Sequence, residues 1–169
     1  YETIQSAIDA TDTRDGHTLI ATPITYPENV RVTKGLKIQG ELFEYALSRR
    51  ATVEVPDAHR PGFDLQKSDV QIDNFKILGA PNSAGIFVAD TVVNFVIGRN
   101  YIASNWWGIY VDDAFSGHIT NNGVQYNLGD GIYATNVSWL LLRENLIFGN
   151  AGDGIELAGA DSRDNTILD

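Results

Sequence analysis

Five glycines, each followed by a hydrophobic residue, stand at positions 62, 85, 108, 131 and 154: Gly62-Phe63, Gly85-Ile86, Gly108-Ile109, Gly131-Ile132 and Gly154-Ile155. Every step between them is 23 residues. A fixed period in this range is the mark of a solenoid, whose short unit cannot bury its apolar face alone and must stack on its neighbours. Two places beyond each glycine-hydrophobe pair lies a second apolar column, Leu65, Val88, Val111, Ala134 and Leu157. Between the two apolar columns stand Asp64, Phe87, Tyr110, Tyr133 and Glu156, so the local period is two and the element is a strand with one face inward.

Each unit also holds further apolar runs, Val70 to Ile77, Val93 to Ile102, His118 to Val124 and Trp139 to Ile147. Three short strands in 23 residues leave no room for a crossover helix, so a strand that lies parallel beside its predecessor must coil. The handedness of parallel crossovers makes that coil right-handed. The fold class is therefore all-β, a right-handed parallel β-helix with coils of about 23 residues. Some runs end in Asn-x-Ile or Asn-x-Val, with the asparagines at 100, 122, 145 and 165, which predicts stacked asparagines along the axis. Asn127-Leu128-Gly129-Asp130-Gly131 and Asn150-Ala151-Gly152-Asp153-Gly154 are near copies rich in residues that tolerate left-handed backbone, and read as corners. Glycine pairs recurring in a β-sandwich would lack this fixed register, and the frame of a leucine-rich repeat is absent.

The 169 residues suit one domain of about seven coils. Residues 1–12 read as an N-terminal cap, 17–61 as irregular first coils and 62–169 as regular coils. Twelve Lys and Arg against 22 Asp and Glu give a net charge of −10, which argues against nucleic acid or an anionic membrane surface as partner. No apolar run approaches the ~20 residues of a membrane-spanning helix. Without cysteine there is neither a disulfide framework nor a thiolate metal site. The chain starts at Tyr1 rather than Met, as a mature or excised piece would, and stops within the strand-like Thr166-Ile167-Leu168. A partner, a further domain or end-to-end self-association is the expectation there.

At the start, Ile4, Ala7 and Ile8 have helical spacing behind Thr3 as N-cap, giving a short helix that covers the open edge of the first coil. Thr18–Ala21, Tyr26–Val32 and Leu36–Gly40 then read as the three strands of that coil. Leu42-Phe43-Glu44-Tyr45 and Arg49-Arg50 read as an irregular segment before Thr52–Val55.

The order Thr-Ile-Gln-x-Ala-Ile-Asp-Ala, Gly-His-Thr-Leu-Ile, Tyr-Pro-Glu-Asn-Val-x-Val and Lys-x-Leu-x-Ile-x-Gly resembles the N-terminal capping module of secreted parallel β-helix proteins. These include the NosD-like carbohydrate-binding proteins and sugar hydrolases and, more distantly, pectin methylesterases. The Asn-x-x-x-Asp-Gly-Ile repeats are similar to those of mannuronan C5-epimerase modules. The resemblance covers nearly the whole chain, departs at Ile24 where the cap usually has Gly, and implies a secreted or cell-surface protein with a polysaccharide partner.

The residues that such a partner would meet follow from strand parity. Phe87, Tyr110 and Tyr133 stack one ring per coil, a flat platform suited to a sugar ring or a ladder that only stiffens the sheet. Asp112 shares their face, Glu156 lies in the next coil beside Tyr133, and Trp106 and Trp107 stand at the preceding corner. Asp112, Asp113, Asp130 and Asp153 form the densest acidic area. Asp130 and Asp153 are one coil apart and would be hydrated, bonded to turn amides or bridged by Ca²⁺, the one ion the sequence suggests; no other cofactor is indicated.

Catalysis on a uronate polymer needs a base, an acid and a positive group. By residue type these would be His118, Tyr110 or Tyr133, and Arg99 or Arg143. The Asp-Pro-His-Glu motif of the epimerases is missing at Gly108–Asp113, and Asn94 replaces the catalytic Asp of the methylesterase strand. Three functions follow: a polysaccharide-binding or polysaccharide-processing module, a stiff spacer of a surface protein or phage fibre, or a fragment of a lyase or C5-epimerase.

Overall fold

A computed structural model describes residues 1–41 and 50–169. The chain winds as a right-handed parallel β-helix of about six coils. Three sheets wall it. The first has seven strands, Thr18–Ala21, Lys37–Gly40, Gln71–Asp73, Val96–Gly98, His118–Thr120, Leu141–Arg143 and Thr166–Leu168. The second has six, Thr25–Tyr26, Ala51–Glu54, Phe75–Leu78, Tyr101–Ala103, Gly123–Gln125 and Leu146–Phe148. The third also has six, Val30–Val32, Phe63–Leu65, Ala84–Val88, Trp107–Asp112, Ile132–Thr135 and Ile155–Ala158. The seven coils expected from length are thus six coils plus one further strand in the first sheet.

Each wall sends an apolar column into the axis, and the third adds a second one, Leu65, Val88, Val111 and Ala134. Ile38, Ile72, Ile97, Ile119 and Leu142 come from the first, Val53, Ile77, Ile102 and Val124 from the second, and Phe63, Ile86, Ile109 and Ile132 from the third, all fully or almost fully buried. At about 1.5–3 kcal/mol for each large side chain removed from water, these columns are the main attraction between coils. They do not by themselves fix the corners, because an apolar column can slide.

Two asparagine ladders fix them. In the first, Asn100 N–H and Nδ2–H both donate to Asn122 Oδ1, at 3.0 and 3.2 Å, and Asn122 donates in the same way to Asn145 Oδ1, at 3.0 Å each. In the second, Asn105 donates to Asn127 and Asn127 to Asn150 at 2.9–3.2 Å. The expected fourth rung, Asn165, belongs elsewhere. Its Oδ1 accepts from Leu140 N–H, at the entry to the first sheet rather than the second. Its odd spacing of 20 residues from Asn145 is the trace of that change of corner.

The repeated glycines line one corner, Gly85, Gly108 and Gly131 beside the amides of the second ladder. From Gly62 to Gly131 their role is space rather than unusual backbone, whereas a Cβ on Gly154 would meet nothing nearer than Ile147 at 3.6 Å. None of Gly62, Gly85, Gly108, Gly131 and Gly154 has a positive φ. A Cβ on Gly85 would lie 2.6 Å from Ile102 Cγ2, 2.8 Å from Asn105 Nδ2 and 2.9 Å from the Gly108 carbonyl oxygen. The left-handed backbone predicted for the two Asn-x-Gly-Asp-Gly corners is absent from all ten of those residues. It falls just before the ladder asparagines instead, at Arg99, Ser104, Asn121, Tyr126, Glu144 and Gly149. The sharp bend is taken there so that the asparagine can point inward with ordinary backbone.

The N-terminal helix Ile4–Asp9 is capped as expected, Thr3 Oγ1 accepting from Ser6 N–H at 2.9 Å, with Ile4, Ala7 and Ile8 buried on the first coil. Its free amides at Ile4 and Gln5 donate to the Glu28 carboxylate at 2.8 and 2.9 Å. At the other end Lys34 Nζ donates to the carbonyls of Ile8, Ala10 and Thr13, a cation placed on the negative end of the helix. The first coil closes sooner than the sequence suggests. Lys37–Gly40 pairs with Thr18–Ala21 and so opens the second coil, while Tyr26 to Val32 holds two strands split by Pro27, which has no N–H for a ladder. The irregular segment expected at Leu42-Phe43-Glu44-Tyr45 and Arg49 lies outside the described residues.

Candidate functional site

The outer face of the third sheet carries one continuous column, Arg31, Asp64, Phe87, Tyr110, Tyr133 and Glu156, each residue paired with the next by parallel register. Its constant 23-residue step from Phe63 onward is what made the upper part readable from sequence. The foot was not readable, since Val30 pairs with Phe63 across a longer step. There Arg31 Nε stands 3.9 Å from Asp64, and a cavity of about 250 Å³ opens between Asn29, Val30, Arg31, Arg60, Pro61 and Asp64.

Phe87, Tyr110 and Tyr133 stack with centroids 5.2 Å apart, but successive rings tilt by 56°. The face is corrugated, not the flat platform expected, because rings wider than the ~4.8 Å strand spacing must tilt to fit. Trp107 is not at the corner either. It opens the strand Trp107–Asp112, and its ring lies over Tyr110 at 5.1 Å and nearly parallel to Tyr133, at 5.8 Å and 23°. Trp106 does stay at the corner, 43% exposed, where its carbonyl accepts from Gly129 N–H at 2.7 Å. Its indole rests edge-on to Trp107.

Asp112 ends the same strand on the same face, beside Tyr110. Partial burial first, then the Asp112 charge, the neighbouring Tyr133 and a hydrogen bond to Asp112, hold the Tyr110 phenol above the ordinary tyrosine range. Tyr110 is therefore a standing hydrogen-bond donor and not a proton acceptor at neutral pH.

The acidic area forms with a different membership from the one expected. Asp130, Asp153 and Glu156 come together, with ligand atoms all within 4.8 Å of one another, and Asp130 Oδ1 accepts from Asp153 N–H at 2.7 Å. Asp112 and Asp113 stand at the far end of the strand, ~16 Å along at 3.3 Å per residue, because Asp130 stacks above Trp107 at the strand's start. Three carboxylates so close are the type of set a hard cation such as Ca²⁺ takes.

The catalytic candidates are split between walls. Tyr110 is on the third sheet, whereas His118 and Arg143 lie on the first, His118 between Val96 and Leu141 and Arg143 above Thr120. Arg143 pairs with Glu144 at 2.7 Å, and Arg99, at a left-handed corner, pairs with the buried Asp73 at 3.2 Å. Asn94 is likewise a corner residue, its amide donating to Asp69 at 3.3 Å. The face that gathers candidate residues is the third sheet alone.

Among the described residues no helix is long and apolar enough to cross a membrane. The family described as right handed beta helix region matches residues 46–169. A cell surface glycoprotein of Methanothermus fervidus is 28% identical over 164 aligned residues, which take in 79% of this chain and 26% of that protein. This chain thus spans about a quarter of that relative's length. No solved structure matches it.

Proposed function

The chain belongs to the family of right-handed β-helix regions, and from that premise we propose that it is a glycan-binding module of a secreted or cell-surface protein. Its contact face is the third sheet. Trp107 carries the reading, since it leaves its corner to stack on Tyr110 and Tyr133 and so gathers aromatic surface from two coils at one place. Aromatic rings rimmed by hydroxyls offer apolar faces to sugar C–H groups and polar edges to sugar hydroxyls. Phe87 extends the surface towards the arginine foot, and Asp112 and Glu156 supply acceptors on either side. The surface location is supported by the name of the Methanothermus fervidus relative and by the resemblance of the cap to NosD-like proteins.

The test is a glycan array run with the wild-type chain, Tyr110→Ala and Trp107→Ala, in Ca²⁺ and in chelator. Selective binding, at least tenfold weaker in both variants, is the expected result. Loss in chelator as well would assign an ion to Asp130, Asp153 and Glu156. No binding to any glycan by the wild type overturns the reading in favour of a stiff spacer, which the large remainder of the relative's length favours. A rise in ultraviolet absorbance on alginate or pectate would instead reveal a lyase.

A further inference from the structure

Thirteen asparagines occur in the chain, and one of them, in Asn136-Val137-Ser138, heads an Asn-x-Ser/Thr triplet. That triplet is the acceptor pattern for N-linked sugar on proteins that pass through a secretory route. We propose that Asn136 is a glycosylation site of this protein, an inference that rests on the surface location above but not on glycan binding.

The geometry separates Asn136 from the asparagines of the two ladders. Asn100, Asn105, Asn122, Asn127, Asn145 and Asn150 each tie their amide between coils. Asn136 follows the strand Ile132–Thr135 at a left-handed corner, φ 51°, partly exposed, its backbone N–H donating to Ala158 at 3.0 Å. Its side chain takes no part in either ladder. The residue above it in the next coil is Gly159, where a Cβ would fall 2.1 Å from Asn136 Oδ1 and 2.8 Å from Cγ. The amide oxygen therefore faces Gly159, and Nδ2 is the amide atom turned from it.

The balance of the step is simple. Asn136 Nδ2 attacks the anomeric carbon of a lipid-phosphate-linked oligosaccharide. The N–C bond forms as the bond from that carbon to the phosphate oxygen breaks, the lipid phosphate leaves with the electron pair, and Nδ2 loses one proton. Nothing is oxidised or reduced.

The fold also dates the event. Ser138 is 8% exposed, and its hydroxyl donates to the Asp161 carbonyl at 3.3 Å, a contact made by the following coil. A transferase that must read this hydroxyl meets it before Ile155–Ala158 and Asp161 dock. The modification precedes closure of that coil.

The experiment is mass spectrometry of the tryptic peptide 100–143 from full-length protein isolated from its own cells, after labelling intact cells with an impermeant amine reagent. The expected result is a glycan mass on that peptide, kept in Ser138→Thr and lost in Ser138→Ala and in Asn136→Asp, a change that suits the left-handed backbone. Circular dichroism checks that the variants fold. A surface-labelled protein with an unmodified peptide overturns the inference and leaves the surface location standing. An unlabelled, unmodified protein overturns both. Folded, unmodified protein offered to the transferase and its donor should stay unmodified while the denatured chain is glycosylated; equal modification of both overturns the proposed order.

Discussion

An alanine at Gly108 would set its Cβ 2.3 Å from Val124 Cγ1, 2.5 Å from the Gly131 carbonyl oxygen and 2.9 Å from Asn127 Nδ2. Two of those neighbours cannot retreat, since one is backbone and the other a ladder amide. Gly108→Ala is expected to cost roughly 1–3 kcal/mol by overpacking. Gly123→Ala, whose nearest contact would be Tyr101 at 3.9 Å, should be neutral or stabilise by up to about 1 kcal/mol. Urea unfolding midpoints compare the two, and equal loss in both would refute the spatial account of the repeat. Tyr110 gives a second prediction. A phenol held neutral by burial and by Asp112 adds stability that is complete below the unfolded tyrosine pKa of about 10 and is lost as pH rises through the folded value. Asp112→Asn should bring the absorbance titration of Tyr110 down towards the ordinary range.

At the scale of the strand and corner, the ladders decide which changes are tolerated. Asn122→Leu takes the acceptor from Asn100 N–H and the donor from the Ile97 carbonyl, both buried, at about 1–3 kcal/mol for each group left unpaired. Asn150→Leu should cost less, because Asn150 is half-buried and water replaces part of what it supplied. Thermal unfolding of the two variants measures the difference. The same elements show how far sequence reading reaches. The third-sheet strands were legible because inward side chains impose strict alternation and the inner corner from Gly62 to Gly131 leaves no room for a Cβ. The first coil was not, because its strands are two to four residues long and its register depends on pairings that no repeat announces. The aromatic column followed from parity, whereas the move of Trp107 out of its corner and the meeting of Asp130 with Glu156 rest on side-chain direction, which spacing does not carry.

Among the described residues each strand pairs only with the strands of the coils above and below it, so perturbations inside the walls should couple over one rung and not over two. Gly85→Ala combined with Gly131→Ala, ~9.6 Å apart along the axis, should add within about 0.5 kcal/mol. Gly108→Ala combined with Gly131→Ala should not, as the Cβ at 108 presses on the backbone of 131. Double-mutant cycles by urea unfolding distinguish the two cases, and equal coupling in both pairs would mean that the stack behaves as one block. The uneven early steps matter for the same reason. Lys37 pairs with Gln71, and Val30 with Phe63, over far more chain than the 23 residues used above, yet every later rung keeps its height. The walls are in phase again at Ala51–Glu54, which pairs with Thr25–Tyr26 below and Phe75–Leu78 above. Rung height is set by strand pairing and not by the length of chain between rungs, so a foreign peptide could be hung from the shaft below Phe63 without altering the axial positions of the rings above it.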